Sequence, residues 1–374
     1  AALAVASVNL SLRPMIATSA LLLLQYVRVQ RWRRRGAGLA TTAAWLAAAY
    51  ALWANLHTGI VLGFFSLALM AAGDLAERRG LLAFAPRDPA VEGRPQPVRA
   101  YAILAAVAFL ASLANPYGWT IYGYLARLSA DARLNAEIVE LASPDFHVPQ
   151  LAWFLGFVGA LLLLLPHRRR TLAPADLLLL LGFTAATLLA QRFVVWAVLY
   201  YALVLPRALH QGWGERVAVL TGGGAARIAV AVAALLTPAI LALAGPAPAP
   251  LGRVCEPLLP AIEAYAAGRQ PGDRLLNDPL TGSCIIGHLS SPRVFIDTRF
   301  DFYGGVHAEA AMSMLRLAPG WREAFDRWGI DAVVVGRGWP LAQALALDPR
   351  FRAVHADAAA VVYRRAAGPV APRI

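Results

Sequence analysis

Residues 173–209 read APADLLLLLGFTAATLLAQRFVVWAVLYYALVLPRAL. Two apolar runs, 173–190 and 193–209, are parted only by Gln191-Arg192. At about 1.5 Å per helical residue, each run approaches the length that crosses a hydrocarbon core of about 30 Å. The same kind of block recurs at 14–30, 40–54, 59–77, 100–114, 150–166 and 226–244. This spacing predicts an α-helical multi-pass membrane domain of about eight spans over residues 1–244. The block 40–54 is short, so a helical hairpin that only dips into the membrane is an alternative for 40–77.

The composition agrees. Apolar residues make up 59% of the 374 and charged residues 15%, with a mean hydropathy of +0.56. Soluble domains carry about 45–50% and about 25%. From about Pro250 onward the chain reads as ordinary globular protein. Residues 245–255 are a Pro-rich linker, opening Gly-Pro-Ala-Pro-Ala-Pro, and 256–374 a small α/β soluble domain. The formal charge of +12 invites a nucleic-acid reading, which its distribution excludes. Residues 1–249 hold 20 Arg against 10 acids, and 250–374 hold 14 against 12. The excess sits in short loops between apolar blocks, where positive charge sets membrane orientation. Abundant Arg, Ala, Gly and Pro with no Lys points to a GC-rich bacterial genome. The opening Ala-Ala-Leu-Ala is no signal peptide. It reads as the inside of an apolar helix, so an N-terminal truncation is expected.

Orientation follows from arginine. Arg28, Arg31, Arg33, Arg34 and Arg35 follow the first block, and Arg78 and Arg79 the third. Arg168, Arg169 and Arg170 follow the fifth, and Arg207 and Arg216 the seventh. If each block crosses once, all four clusters share the cytoplasmic side. The opposite side then collects Asn55-Leu-His57-Thr-Gly59, the loop 115–149, Gln191-Arg192 and the C-terminal domain.

Each of these motifs has two readings. Asn55 and His57 either line a substrate cavity or cap helix ends, with Gly59 relieving the turn. Asn115-Pro-Tyr-Gly-Trp119 is turn chemistry with interfacial aromatics, and 120–128 suits a helix lying in the interface. Glu137, Glu140 and Asp145-Phe-His147 form the acid-rich loop of this half. Such carboxylates serve as general bases or hold a divalent cation, or they belong to a solvated loop. Arg192, with no acid beside it, binds an anion such as phosphate or snorkels to the interface.

In the C-terminal domain, helices are expected over 256–267, 307–328 and Pro340–Leu347. Strands are expected over Asp273–Asn277, Arg293–Ile296, Ala332–Val335, 351–356 and 359–364. Asp297, Arg299 and Asp301 then follow a strand end, where α/β domains bind ligands; alternatively they are a network that fixes the loop. Cys255 and Cys284 can pair in an oxidising compartment, which spacing alone does not decide.

Trp53-Ala-Asn-Leu-His-Thr-Gly59, Asn115-Pro-Tyr-Gly-Trp119, Glu137-Ile-Val-Glu-Leu-Ala-Ser-Pro-Asp145 and Phe295-Ile-Asp-Thr-Arg-Phe-Asp-Phe-Tyr303 together resemble a group of bacterial multi-pass proteins. That group is similar to the GT-C superfamily of membrane glycosyltransferases. The resemblance implies an extracytoplasmic active site that takes sugar from a polyprenyl-phosphate donor in the bacterial inner membrane. It also implies a catalytic acid in a first outer loop, which here would precede Ala1. Relatives often carry Asn-Asp-aromatic-x-Trp-Gly-Gly where this chain has Asn277-Asp-Pro-Leu-Thr-Gly-Ser283. On this resemblance Glu137, Glu140 and Asp145 are the catalytic candidates. Asn55, His57, Arg192, Asp297, Arg299 and Asp301 are the substrate-binding candidates. A divalent cation is open, and membrane lipid is the expected partner. The alternative is a non-catalytic scaffold that presents a periplasmic domain. A transporter would need charged or broken mid-membrane helices and internal repeats; Asp176, just after Pro174, suits a helix terminus better than a pore.

Overall fold

The computed structural model describes residues 15–35, 38–81, 94–164, 172–220, 254–290 and 293–366. The apolar start at 1–13, the expected eighth span at 226–244, the linker stretch 245–253 and the cluster Arg168, Arg169 and Arg170 lie outside the described residues. The fold is mostly helical, with a small sheet near the C-terminus. It divides into two compact units: Ala1–Leu125 with Glu140–Ala247, and Ala126–Val139 with Pro248–Ile374.

The first four helices, α1 (Met15–Arg35), α2 (Leu39–Leu56), α3 (Ile60–Arg78) and α4 (Val98–Ser112), belong to the first unit. The unit boundary falls within α5 (Thr120–Ala130), and α6 (Ala132–Glu137) belongs to the second unit. The first unit resumes with α7 (Pro149–Leu164), α8 (Pro174–Leu189) and α9 (Val194–Leu220). All seven apolar blocks within the described residues are helical. Proline opens α7 and α8 at the position where a missing N–H is harmless. The short block at 40–54 extends to a full 18 residues in α2. By length and hydropathy α2 and α3 could each cross a bilayer, whereas the apolar stretches of α4, α7, α8 and 191–206 are shorter, at 10–17 residues.

The helical unit packs around a large apolar core that includes Leu46, Trp53, Phe154 and Phe183; polar side chains are buried in it as well, and large apolar ones also face outward. Thr18, Gln25, Gln30, Arg33, Ser66, Asp74 and Thr187 are buried, while Leu24, Leu52, Phe65, Leu110, Leu163 and Leu189 are exposed. Small residues bring backbones together: a Cβ on Gly73 of α3 would lie 2.3 Å from Ala175 Cα in α8. The helices meet at two polar ends. At one, Arg33 of α1 donates to Asp74 of α3 (Nε to Oδ2, 3.1 Å), and Tyr101 of α4 donates to the same carboxylate at 2.8 Å. There Gln30 links Arg33 to Asp176 in the first turn of α8, accepting from Arg33 Nη1 at 2.9 Å and donating to Asp176 at 2.7 Å. Arg33, expected among the loop arginines that follow the first block, is instead in the last turn of α1 and buried.

The second unit contains α10 (Leu259–Ala267), β1 (Leu275–Asn277), α11 (Pro279–His288), α12 (Phe300–Tyr303), α13 (Gly305–Leu315) and α14 (Trp321–Trp328). Then come β2 (Ala332–Gly336), α15 (Pro340–Ala346), β3 (Phe351–Ala356) and β4 (Ala360–Arg365). The sheet order is β1-β2-β4-β3. β1 and β2 are parallel, with Leu276 opposite Val333, and the other pairings are antiparallel. Side chains alternate across the sheet. Leu276, Val333, Val335 and Val361 join α13, α14 and α15 on one face. Leu275, Val334 and Val362 join α10 and α11 on the other. Because helices cover both faces, β2 is a continuous apolar run. Cys255 and Cys284 form a disulfide that ties the segment before α10 to α11.

Two expectations change here. Arg293–Ile296 is not a strand. The side-chain amide of Asn277 stands in for a ladder partner, donating to Ile296 O at 2.6 Å and accepting from Phe295 N at 2.8 Å. Thus Asp297 and Arg299 follow a pinned loop rather than a strand end. In addition, 279–288 is a helix that hydrophobic periodicity did not reveal. Its signals are Asp278, which caps Thr281 N at 3.0 Å, and Pro279 at the first position.

Candidate functional site

The second polar end of the helical unit gathers five of the residues singled out from the sequence. The turn from α2 to α3 is built around His57. Trp53 Nε1–H donates to Thr18 Oγ1 at 2.9 Å, and Thr18 lies 2.7 Å from His57 Nδ1. Gly59 N–H also donates to Nδ1, at 3.0 Å. A backbone N–H can only donate, so Nδ1 is an acceptor and the neutral ring carries its proton on Nε2. A Cβ on Gly59 would lie 2.4 Å from Thr18 Oγ1, so glycine is required for this approach. Asn55 spends its amide donors on Ala51 O (2.8 Å) and Ala114 O (2.7 Å), fastening the end of α2 to the chain just past α4.

Gln191-Arg192 lies at the same end. Gln191 N–H donates to Ala142 O at 2.9 Å, which ties the α8–α9 junction to the loop carrying Glu140 and Asp145. Arg192 is half-buried and has no hydrogen-bond or ion-pair partner among the described residues. Burial holds the His57 pKa below its ordinary value, and the Arg192 charge lowers it further. The pair therefore offers a fixed cation and a neutral imidazole N–H, both donors. Neither Gly59 nor Thr18 occupies Nε2.

The loop acids differ from one another. Asp145 is exposed. The backbone N–H of His147 and then its imidazole, at 2.8 Å, hold this carboxyl below the usual range, making it a poorer base. Glu140 is half-buried in the short turn Val139–Leu141. Glu137 belongs to the other unit, where it pairs with Arg316 at 2.8 Å. Asp297 also lies in that unit. It is buried and accepts from Arg299 Nε (3.1 Å) and Tyr303 OH (3.1 Å); Arg299 is largely exposed, and Asp301 is exposed in α12. The Asn277-Asp278 pair is consumed by the fold, since Asp278 also accepts from Gly336 N at 3.0 Å.

Among the described residues, no three His, Cys, Asp or Glu side chains come together as a metal site. No step is therefore assigned to a cation. Sequence reasoning missed the Arg33–Asp74 pair. Its one signal was an acid inside the apolar block 59–77, level with the arginines that end the first block. No protein-family model matches the chain, and no curated protein matches it.

Proposed function

We propose that this chain is a bacterial inner-membrane glycosyltransferase of the GT-C kind, which moves a sugar from a polyprenyl-phosphate donor to an acceptor on the extracytoplasmic face. The observation that carries the reading is Arg192: a half-buried guanidinium without an acceptor among the described residues, beside a neutral His57 and next to the acid-bearing loop. A planar cationic fork near a second N–H donor suits a phosphate monoester or diester. The membrane setting is supported by the large apolar side chains that the helical unit exposes, Leu52, Leu110, Leu163 and Leu189 among them, and by two helices long and apolar enough to cross a bilayer, since a bilayer rewards apolar surface. The disulfide suits an oxidising compartment.

In this scheme Arg192 and His57 Nε2–H hold the donor phosphate and stabilise it as it leaves. The acceptor hydroxyl attacks the anomeric carbon, the bond to phosphate oxygen breaks, and the hydroxyl proton passes to a carboxylate. The depressed pKa of Asp145 counts against it as that base, and Glu140, half-buried in the turn Val139–Leu141, is the candidate proposed. Membranes carrying the full protein, given radiolabelled polyprenyl-phosphate sugars, test the reaction. Transfer by wild type that falls at least about 100-fold in Arg192→Ala supports it. Absence of transfer across the donor panel, with polyprenyl phosphate binding equally to wild type and Arg192→Ala, overturns it.

A second reading, a membrane scaffold that presents the C-terminal unit, is favoured by one observation. Glu137, Asp278 and Asp297 all serve that unit's own architecture. The same transfer assay separates the two.

A further inference from the structure

The corner that follows α4 is built around one side chain. Asn115 Oδ1 accepts from Tyr117 N at 2.8 Å, and its amide donates to Ser112 O at 2.7 Å and to Gly118 O at 3.1 Å. Gly118 takes a φ of +52°, the left-handed region that favours glycine. Past the corner the chain returns to α4: the Tyr122 hydroxyl lies 2.5 Å from Ser112 Oγ, and its ring packs 5.2 Å from that of Phe109. This frame holds two rings outward. Tyr117 is 70% and Trp119 72% exposed, and neither side chain has a hydrogen-bond or ring partner among the described residues. A fixed turn that presents two bare rings with free polar tips suits a surface that takes up the ring and leaves the tip wet.

Asn55 sets the level of that corner. It donates to Ala114 O at 2.7 Å, next to Asn115. Asn55 also lies in the last turn of α2, one of two described helices long and apolar enough to cross a bilayer. Its 18 residues span about 27 Å, close to a hydrocarbon thickness of about 30 Å. The end of α2 therefore meets the headgroup layer, and so does the backbone at Ala114. The bond from Gly118 N to Asn115 O at 3.1 Å closes the turn and keeps the rings near that level. Toward the bilayer core, Ile103, Ala106 and Leu110 form one exposed apolar face of α4. No Asp, Glu, Lys, Arg or His lies between Arg99 and Arg127, so ion pairing has no part in what this surface meets. An apolar face that ends in Tyr and Trp is the order that hydrocarbon followed by headgroups demands.

We propose that Tyr117 and Trp119 anchor the helical unit in the lipid headgroup layer, and that the Asn55–Ala114 bond sets the His57 turn at the same depth. The occupant of this surface is the bilayer itself. The proposal rests on the chain spanning a membrane, as the glycosyltransferase reading also does, but on no step of sugar transfer. Every contact in it lies within the helical unit.

Depth-dependent fluorescence quenching tests this on the full chain, in phosphatidylcholine vesicles with bromine set shallow or deep in the acyl chains. The emission lost in Trp119→Phe isolates the Trp119 signal. Shallow bromine should quench it at least about twofold more than deep bromine. In the Trp119→Phe background, Leu56→Trp should show the same shallow preference, because Leu56 adjoins Asn55 and is 47% exposed. In that background Ile103→Trp should prefer deep bromine, since Ile103 lies about 14 Å along α4 from its end at Ser112. All three positions are exposed, so the substitutions leave the core packing intact. A Trp119 signal that prefers deep bromine, or that only aqueous iodide quenches, overturns the anchor. A Trp119 signal shielded from iodide and from both lipids also overturns it, and marks cover by protein. Leu56→Trp reading deep or aqueous while Trp119 reads shallow overturns the shared depth. An Ile103→Trp signal that neither lipid quenches removes the bilayer, and the glycosyltransferase reading with it; the other failures leave that reading standing.

Discussion

Arg33 and Asp74 form a two-point ion pair with both side chains out of solvent: Nε to Oδ2 is 3.1 Å, Nη2 to Oδ1 is 2.5 Å, and the exposures are 1% and 0%. The carboxylate also accepts from Gln96 N and Tyr101 OH, so it joins α1, α3 and the start of α4. Removing one member of such a pair leaves a buried charge and costs about 3–5 kcal/mol, whereas neutralising both costs less. Arg33→Met should therefore melt well below wild type in detergent. Arg33→Met with Asp74→Asn should recover part of the loss, because Asn can still accept from Gln96 N or Tyr101 OH. A single variant that melts with wild type would show that the pair does not hold the helices.

His57 lies in the turn between α2 and α3. Burial first, and then the Arg192 charge, hold its pKa below the ordinary value. Arg192→Gln removes the second cause, so the His57 titration midpoint should rise while staying below that of a free imidazole. Histidine carbon-13 NMR, assigned with His57→Gln, reads the midpoint directly. The sign for stability follows from linkage. A histidine with a lowered folded pKa is neutral in the fold while the unfolded chain is protonated. Its contribution is present above about pH 6.5 and is lost as pH falls through the folded value. Arg192→Gln should narrow that window. A midpoint that stays put would separate Arg192 from His57 and weaken the phosphate-site reading.

The apolar blocks were legible because each is contiguous. Their breaks fall at Asn55–Gly59 and Gln191-Arg192, where the helices do end or bend. The pairing of those two breaks with the acid-bearing loop was only inferred from arginine placement, and the Gln191–Ala142 bond gives it a local basis. Other features depend on contacts that no local pattern carries. Leu134 and Asp131 look like loop residues until Gly305, 174 positions away, is placed beside them. Arg33 reads as a loop charge until Asp74 neutralises it. Arg293–Ile296 has strand composition, yet Asn277 takes the place of a neighbouring strand. The helix over 279–288 was hidden because its Gly282 and Ser283 break the apolar period, although Asp278-Pro279 marks its start.

The disulfide closes a loop across a sequence separation of 29 between the segment before α10 and α11. Cross-links over loops of this size typically stabilise by about 2–4 kcal/mol, chiefly by restricting the unfolded chain. Cys255→Ala with Cys284→Ala should lower the unfolding midpoint of the C-terminal unit accordingly. Reductant should lower the wild-type midpoint and leave that of the double variant unchanged. Intact mass without reductant should be two hydrogens lighter than after full reduction. Two free thiols in freshly purified protein would remove the bond and the compartment argument resting on it.

Gly282 and Gly287 lie in the same helix, α11, and should respond oppositely to alanine. A Cβ on Gly282 would lie 1.9 Å from Ile296 O and 2.4 Å from Asn277 Nδ2. Those two groups share the hydrogen bond that pins the loop before Asp297. Gly282→Ala must therefore displace backbone and break that bond, an overpacking and hydrogen-bond loss of roughly 3 kcal/mol together. It should also loosen the Asp297–Arg299 loop, raising exchange over 295–303. At Gly287 nothing lies within 4 Å of the same Cβ. Gly287→Ala should gain up to about 1 kcal/mol from helix propensity. Urea unfolding of the two variants, followed by aromatic signals from the C-terminal unit, gives both signs. Equal effects would mean that Gly282 is not packed against the Ile296 carbonyl, and the account of how Asn277 replaces a strand would fail with it.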